Sequence, residues 1–463
     1  MGTATLLTEE PYAYIVTAAE ASYYCWSCLK RSEKLARCSK CKCAQFCDRN
    51  CQSSGWADHK QECSGLLRTP KAMHSDMIRF IGRIIRKQKC KPDKNENSER
   101  TFSDLLSHAE EIKNDEQRYR KFGNLFKFLK DFLEPDEIIP EDELLEIYGK
   151  TIINSIEILA YNNSRVVGKG LYLKISSIDH SCDPNATVIF DGRFAVLSGL
   201  KPRLTFDPAT LRINYILLFY PSNERQRQLE KTYYFRCNCD GCKNNQRDAK
   251  MESLVCPRDE CGGCVIKKTQ NGSDYYTCLD CCIGMDRVKA ELALTKNDEA
   301  TRVYEQLSKQ ASDCSTQAAS KIGPQLVAGA EKCLSTIRSQ LHPFNLNRFR
   351  LSDFAFDIAT NLGDYHSAAK FGQETLPAYQ EYYPANHPAT STIMMNIGKM
   401  LGGAHKVREA HAMMREAAKS IQTTHGTNHR LYKELLADFK QLKELAYVLK
   451  MMNDPTVMAD MKQ

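Results

Sequence analysis

The chain has 463 residues, 42% of them hydrophobic and 26% charged, with a formal net charge of +7. This is the composition of an ordinary soluble globular protein of two to four domains, with ample chain for a real core. No apolar stretch approaches the length of a membrane span, Tyr215 to Tyr220 being only a short one, and the modest charge suits an acidic or nucleic-acid-associated partner without demanding one.

Residues 8–16 alternate and end in β-formers, which predicts one strand leading into a cysteine-rich unit. From Cys25 to Cys63, eight cysteines and one histidine fall within 39 residues. They read as four pairs: Cys25 with Cys28, Cys38 with Cys41, Cys47 with Cys51, and His59 with Cys63, leaving Cys43 spare. Zinc takes four tetrahedral thiolate or imidazole ligands, and short loops let one tight turn supply two of them. Four pairs therefore fill two closed sites, which hold a shape and do no chemistry. The cysteine total, 21, is odd, and nothing resembling a signal peptide precedes the first pair. A reducing, intracellular compartment and metal rather than disulfides are expected.

Beyond Cys63, Met77, Ile78, Phe80, Ile81, Ile84 and Ile85 recur at helical spacing, as do residues from Tyr119 to Phe132, with a polar loop at 91–99 between them. From Thr151 to Tyr220, short apolar runs broken by Asn162-Asn163, Gly168-Lys169-Gly170 and Asp191-Gly192 predict strands. Cys237, Cys239 and Cys242 then offer three thiolates, one short of a tetrahedral site. Cys182 sits in the polar, turn-forming run Asp179-His180-Ser181-Cys182-Asp183-Pro184-Asn185, so it either completes that site or packs alone. Cys256, Cys261, Cys278 and Cys281 bracket Val265, Ile266, Tyr275 and Tyr276 and read as a small zinc ribbon, with Cys264 and Cys282 as alternative ligands. Three zinc ions are expected at minimum, and four if the ribbon is real. Past about Asp286 the chain is helical and repeats: Leu362-Gly363 with Ala368 has a counterpart in Leu401-Gly402 with Ala410, and Asn386-His387 in Asn428-His429. A period of about forty residues suits stacked helix pairs of the tetratricopeptide type, or generic helical packing.

Taken together, these motifs resemble the SET- and MYND-domain (SMYD) protein lysine methyltransferases over nearly the whole chain. Residues 25–63 look like a MYND finger, Asp179 to Asn185 is similar to the Asn-His-Ser-Cys-x-Pro-Asn signature of SET domains, and Cys237, Cys239 and Cys242 look like the post-SET zinc cluster. The resemblance implies an α+β multidomain fold. Its parts are a remnant of the N-terminal SET strand region (1–24), the finger (25–63), a helical insert (64–150), the SET core (151–235), the post-SET cluster with its ribbon (236–285) and an all-α tetratricopeptide-like domain (286–463). It also implies cross-bracing, with Cys25, Cys28, Cys47 and Cys51 on one zinc and Cys38, Cys41, His59 and Cys63 on the other, and Cys182 as the fourth post-SET ligand.

The activity so implied is methyl transfer from S-adenosyl-L-methionine to a lysine amine of a histone or another protein. Leu211 to Ile216 aligns with the family's final core strand and makes Tyr215 one catalytic tyrosine. Tyr233 is the second, with Tyr234 one residue away, and Phe235 is the aromatic that stacks on adenine. Asn154, Asp179, His180 and Tyr215 join it in the implied cofactor site. Three departures stand out. The chain starts downstream of the family's Lys/Arg-Gly-x-Gly turn, so either a start upstream of Met1 or an incomplete cofactor pocket is expected, and Gly168-Lys169-Gly170 matches a later segment. Asp179 replaces the signature asparagine and lacks its amide donor, although a carboxylate can still face the cofactor's ammonium group. Pro202-Arg203-Leu204-Thr205-Phe206-Asp207-Pro208 stands where the family has an acidic Pro-Gly-Glu-Glu turn. Two functions compete: a methyltransferase of nucleus and cytoplasm associated with chromatin, and an adaptor with a degenerate SET core that binds proline-rich or other peptides through finger and helical repeats.

Overall fold

Pro11 splits the expected strand over residues 8–16 into β1 (Thr5–Glu9) and β2 (Ala13–Val16), which lie in different sheets. Proline has no N–H to give a ladder, so a run that contains it is interrupted there. The computed structural model describes residues 4–70, 75–90, 100–162, 165–201, 203–313 and 316–452; the loop at 91–99, Asn163 and Pro202 lie outside the described residues.

The finger follows β2 and contains β3 (Ala36–Arg37), β4 (Gln45–Phe46), α1 (Arg49–Ser54) and α2 (Trp56–Arg68). The expected boundary at 63/64 falls inside α2, because the helix that presents His59 and Cys63 runs on to Arg68. The insert is helical as the periodicity predicts: α3 (Asp76–Cys90), α4 (Ala109–Asn114), α5 (Glu116–Phe132) and α6 (Glu141–Asn154). Its far boundary, expected at 150/151, is likewise carried into α6 and reaches Asn154. The SET core then supplies β5 (Ser155–Leu159), β6 (Val166–Leu171), β7 (Ala186–Asp191) and β8 (Phe194–Gly199). Two antiparallel three-stranded sheets result, ordered β1-β8-β7 and β2-β6-β5, so the N-terminal strands close the edges of the core.

On α3, Ile78, Phe80, Ile81, Ile84 and Ile85 are buried, and so are Arg79, Arg83 and Arg86 on the same helix. The fully buried Glu62 of α2 explains the first two. Arg79 Nε donates to its Oε1 at 2.7 Å and Arg83 Nη2 to its Oε2 at 2.5 Å. The other arms of these arginines donate to the carbonyls of Val16 (2.9 Å) and Tyr14 (2.7 Å) on β2. Arg79 also lies 3.9 Å from the Trp26 ring centroid. Burial would raise the Glu62 carboxyl, but Arg83 and Arg79 hold it well below the usual carboxylate range.

Past the core come α7 (Ser222–Tyr233), α8 (Asp240–Lys243) and α9 (Asn245–Met251), then the ribbon strands β9 (Leu254–Val255), β10 (Cys264–Gln270), β11 (Ser273–Cys278) and β12 (Gly284–Met285). The β10–β11 hairpin turns on Asn271-Gly272, both at positive φ (51° and 77°), the pairing that a tight two-residue turn favours. The C-terminal domain stacks α10 (Arg287–Ser312), α11 (Thr316–Ile337), α12 (Leu346–Leu362), α13 (Tyr365–Tyr382), α14 (Pro388–Gly403), α15 (Val407–His425) and α16 (Arg430–Met452). Ala368 and Ala410 are equivalent, each fully buried in the first turn of its helix. The two Leu-Gly pairs are not: Gly363 (φ 71°) ends α12, whereas Gly402 lies inside α14, where a Cβ would come within 2.8 Å of Leu442.

The repeated Asn-His pair ties this domain to the core. His387 and His429 accept the N–H of Ala389 and Leu431 on Nδ1. Their Nε2 atoms then donate to Asn214 Oδ1 at 3.1 Å and to the Phe190 carbonyl at 3.2 Å. Asn386 adds a bond to the Leu200 carbonyl at 3.3 Å, and Ser198 Oγ donates to the Thr424 carbonyl at 2.7 Å.

Glu62→Gln should destabilise the finger–insert unit by about 3–5 kcal/mol, the cost of leaving buried charges unpaired. Both tryptophans of the chain, Trp26 and Trp56, lie in the finger, so urea unfolding followed by tryptophan fluorescence reads this directly; an unchanged midpoint would contradict it. A pH effect comes from the domain interface. Burial lowers His387 and His425 to about 3 and lowers His429 as well, so all three fold as neutral rings. Unfolded histidine titrates near pH ~6.5, so the stability they give is complete above that value and is lost as pH falls toward about 3, by up to ~1.4 kcal/mol per pH unit for each ring. Thermal melts between pH 7 and pH 5 should fall steadily, and His387→Gln should flatten part of the slope.

Candidate active site and zinc centres

Four sets of ligand atoms converge: Cys25, Cys28, Cys47 and Cys51; Cys38, Cys41, His59 and Cys63; Cys182, Cys237, Cys239 and Cys242; and Cys256, Cys261, Cys278 and Cys281. Within each set all ligand atoms lie within 4.8 Å of one another. Tight turns present the finger pairs. Leu29 and Lys42 take positive φ (55° and 58°) beside the first two, Asp48 caps α1 by accepting the Cys51 N–H, and His59 and Cys63 share one face of α2. Sulfur–sulfur distances are 3.8 Å for Cys28–Cys47, 3.9 Å for Cys38–Cys63, 3.5 Å for Cys182–Cys242, 3.6 Å for Cys256–Cys281 and 3.8 Å for Cys261–Cys278. Thiolates at about 2.3 Å from a tetrahedral zinc stand roughly 3.8 Å apart, whereas a disulfide needs about 2.05 Å. Zinc therefore fits all four sets. Cys264 and Cys282 fall outside the ribbon set, as Cys43 does in the finger. Cys182 does not pack alone: it joins the post-SET triad, and its own N–H donates to Cys239 Sγ at 3.3 Å.

Around Cys182 the chain laces two segments together. Residues 211–216, expected as a strand, form only one parallel bridge, His180 with Ile213, because the partner segment is curled rather than extended. Side chains and single backbone bonds do the joining: Ser181 N–H to the Ile213 carbonyl (2.9 Å), Ile213 N–H to the Asp179 carbonyl (3.1 Å), and Arg212 N–H to Asn185 Oδ1 (2.8 Å). His180 is buried and lowered to about 4 by that burial, hence neutral. Its Nδ1 accepts the Tyr215 N–H at 3.0 Å, so Nε2 carries the proton and donates to Cys182 Sγ at 3.2 Å.

Tyr215, Tyr233, Phe235 and His180 come together in one cluster. Ring centroids are 5.0 Å apart for Tyr215–Tyr233, 5.3 Å for His180–Tyr215, 6.2 Å for His180–Phe235 and 6.4 Å for Tyr233–Phe235. The Tyr215 hydroxyl donates to the Ile178 carbonyl at 2.6 Å, which leaves its lone pairs free to accept. Burial raises the phenols of Tyr215 and Tyr233 above their ordinary value, so both stay protonated at neutral pH. Tyr234 is excluded: it caps α7 in the left-handed region (φ 60°) and turns toward the insert, its ring 4.7 Å from the Arg118 guanidinium and 5.3 Å from His108.

The Asp179 side chain is 78% exposed, with Arg212 at 4.0 Å. Asn154 makes no hydrogen bond to the cluster; as the last residue of α6 it donates instead to the carbonyls of Leu106 (2.9 Å) and Lys150 (2.8 Å). One residue near the site is marked in the sequence only as part of a helical repeat. His387 holds Asn214, the neighbour of Tyr215, and Asn214 donates in turn to the Ile216 carbonyl at 3.2 Å.

Known proteins carry the same parts. A MYND finger family matches residues 25–63, and a tetratricopeptide repeat family matches residues 390–431. The chain is similar to Histone-lysine N-methyltransferase SMYD3 of Mus musculus, 27% identical over 436 residues, covering 93% of this chain and 90% of that protein. Histone-lysine N-methyltransferase ASHR1 of Arabidopsis thaliana is 25% identical over 456 residues (95% and 90%), and N-lysine methyltransferase SMYD2-A of Xenopus laevis is 23% identical over 437 residues (93% and 92%).

Atomic emission on the purified chain should return four zinc ions, one for each set in the structure. Cys256→Ser should lower the count to three and leave the finger's tryptophan emission unchanged. A wild-type count of three or fewer would contradict the assignment.

Proposed function

The chain belongs to the SET- and MYND-domain (SMYD) family, and we propose that it is an S-adenosylmethionine-dependent protein lysine N-methyltransferase whose site is the Tyr215–Tyr233–Phe235–His180 cluster. The single observation that carries this reading is the meeting of two protonated tyrosines, 5.0 Å apart between ring centroids, on the turn that Cys182 anchors. When bound, the cofactor supplies an electrophilic methyl group on a sulfonium. The residues present fit it: Phe235 beside His180 offers an aromatic face for adenine, and the exposed Asp179 carboxylate suits an ammonium group.

The protein's part is positioning. A lysine amine must arrive neutral and in line, and alignment alone can supply most of the acceleration. The Tyr215 oxygen, its proton committed to Ile178, accepts from the amine and fixes its direction. Tyr233 faces it across the cluster, and hydroxyl and carbonyl oxygens can also accept weak C–H···O contacts from a polarised methyl. His180 is not a base, since both ring nitrogens are engaged. The four zinc centres have four protein ligands each and leave no position for water or substrate.

The substrate in this reading is a lysine-bearing peptide of a histone or another protein. The finger and the helical repeats provide further peptide-binding surfaces, proline-rich ligands among them, and the protein works in nucleus and cytoplasm with access to chromatin. Among the described residues no helix is long and apolar enough to cross a membrane. The names of the relatives favour the enzyme over the adaptor.

Tyr215→Phe removes one oxygen and almost no volume. Radiolabelled methyl transfer to mixed histones and cell extract should fall by about 10²-fold or more, the scale set by misplaced reacting groups, with little change in melting temperature, and Tyr233→Phe should act similarly. Undiminished signal in Tyr215→Phe would refute the assignment. Absence of both transfer and cofactor binding in the wild type would favour the adaptor.

A further inference from the structure

Arg247, on α9, carries its guanidinium into the seam where three parts of the chain meet. Its Nη1 donates to the Cys182 carbonyl at 3.0 Å, and its Nη2 to the carbonyls of Leu218 at 2.9 Å and Tyr382 at 3.0 Å. Cys182 lies on the signature turn, Leu218 three residues past Tyr215, and Tyr382 at the end of α13 in the C-terminal domain. All three are buried, Tyr382 being 3% exposed and the others less. Just before Arg247, α8 packs directly on the same turn: a Cβ on Gly241 would come within 2.9 Å of the Cys182 carbonyl carbon.

The neighbouring cations make narrower links. Arg225 donates to the carbonyls of Tyr220 and Gly241, joining the segment after Tyr215 to the post-SET cluster. Lys250 joins that cluster to the C-terminal domain through Glu381, as one partly exposed ion pair at 2.5 Å. Of these three cations, Arg247 is the one that bonds to the turn, the segment and the domain together. Its chemistry suits the task. A helix leaves its last carbonyls unpaired and favours a cation at that end, and the Tyr382 carbonyl belongs to the last turn of α13. A planar fork of N–H donors serves several carbonyls at once, whereas an ammonium is a point charge on a flexible stem. Tyr215 is thereby held from two directions. His180 Nδ1 takes its N–H at 3.0 Å, and Arg247 fixes the chain beyond it at Leu218.

We propose that Arg247 is a positioning residue for methyl transfer: its guanidinium ties the C-terminal domain to the signature turn and to the chain after Tyr215. The seat of the domain and the direction of the tyrosine are then set together. This assignment rests on the methyltransferase reading. Arg247 acts through backbone carbonyls rather than on the reacting atoms, and Phe235, joined to the zinc set through Cys237, lies outside the tie.

Two variants of the full chain test it. Arg247→Ala removes the fork, and Arg247→Lys keeps the charge with a single point of attachment. In both, the rate of methyl transfer to mixed histones at saturating cofactor should fall by about 10- to 100-fold, the scale set by misplaced reacting groups. Calorimetric affinity for S-adenosylhomocysteine should stay within about twofold of wild type. Added ethylguanidinium should restore part of the rate in Arg247→Ala and change nothing in wild type. Amide hydrogen exchange should rise at residues 215–219 and 379–383 in both variants, with the four zinc ions retained. An unchanged rate, or a loss of rate without added exchange at both segments, would overturn the proposal. A loss that tracks zinc content or melting temperature would do the same, because it marks a defect of the fold. A wild-type chain that neither binds S-adenosylhomocysteine nor transfers methyl groups would overturn the methyltransferase reading instead. Exchange then judges the Arg247 tie by itself, and unchanged rates at the two segments would refute it.

Discussion

One sulfur atom connects the zinc chemistry of this chain to its tyrosines. Cys182 Sγ belongs to the set with Cys237, Cys239 and Cys242, and it also receives the His180 Nε2 proton at 3.2 Å. The other nitrogen of the same ring takes the Tyr215 N–H. A chain of contacts therefore runs from metal site to thiolate, imidazole and backbone, and it ends at Tyr215. Hydrogen bonds around a metal site ordinarily orient the metal's own ligands; here the orientation runs outward, from the ligand to the tyrosine. Tyr233 and Phe235 are fixed by the same metal set through short chain connections to Cys237.

Finger and C-terminal domain are each joined to the rest by apolar packing, Trp26 and Phe46 in one core with Ile15 and Phe80, and Tyr383 with Leu218 and Leu229. Within these contacts buried polar groups fix the fit. Glu62 gathers two arginines that also hold β2 carbonyls, so finger, insert and sheet share one charge network. On the opposite side, His387 and His429 each cap a helix with one nitrogen and reach the core with the other. A neutral imidazole suits this because it is donor and acceptor at once. The His387 contact ends on Asn214, immediately before Tyr215, which brings the helical repeats within two side chains of the cluster.

Cysteine spacing alone makes most of the metal framework legible, and family resemblance adds the cross-braced pairs and the borrowed Cys182. Short-range chemistry explains this, since each knuckle is a local turn with both ligands in view. The helical insert is legible for the same reason, its apolar stripe being local. What the sequence hides depends on partners far away in the chain. Three buried arginines on α3 look like a solvated face until Glu62 and Glu137 are placed opposite them. Tyr233 and Tyr234 are indistinguishable by pattern, and a left-handed cap at Tyr234 decides between them. Asn154 carries the family position, yet its amide is spent on the insert. Pro11 is a different case, a local interruption concealed inside an otherwise alternating run.

Why zinc holds the site, rather than packing, follows from the size of the local core. The buried cluster there comprises Cys182, Leu218, Leu229, Cys237, Cys242 and Tyr383, and half of these six residues are ligands. Burying a leucine is worth about 2–5 kcal/mol by truncation, whereas a structural zinc in a small domain contributes about 10–16 kcal/mol of folding free energy. A single metal thus outweighs the apolar side chains present. Tyr215, Tyr233 and Phe235 pack only partly buried against this cluster, which leaves part of each ring uncovered. A purely apolar core large enough to fix them would also cover them. Metal coordination resolves the conflict, because it fixes backbone positions with few atoms and leaves the aromatic faces open.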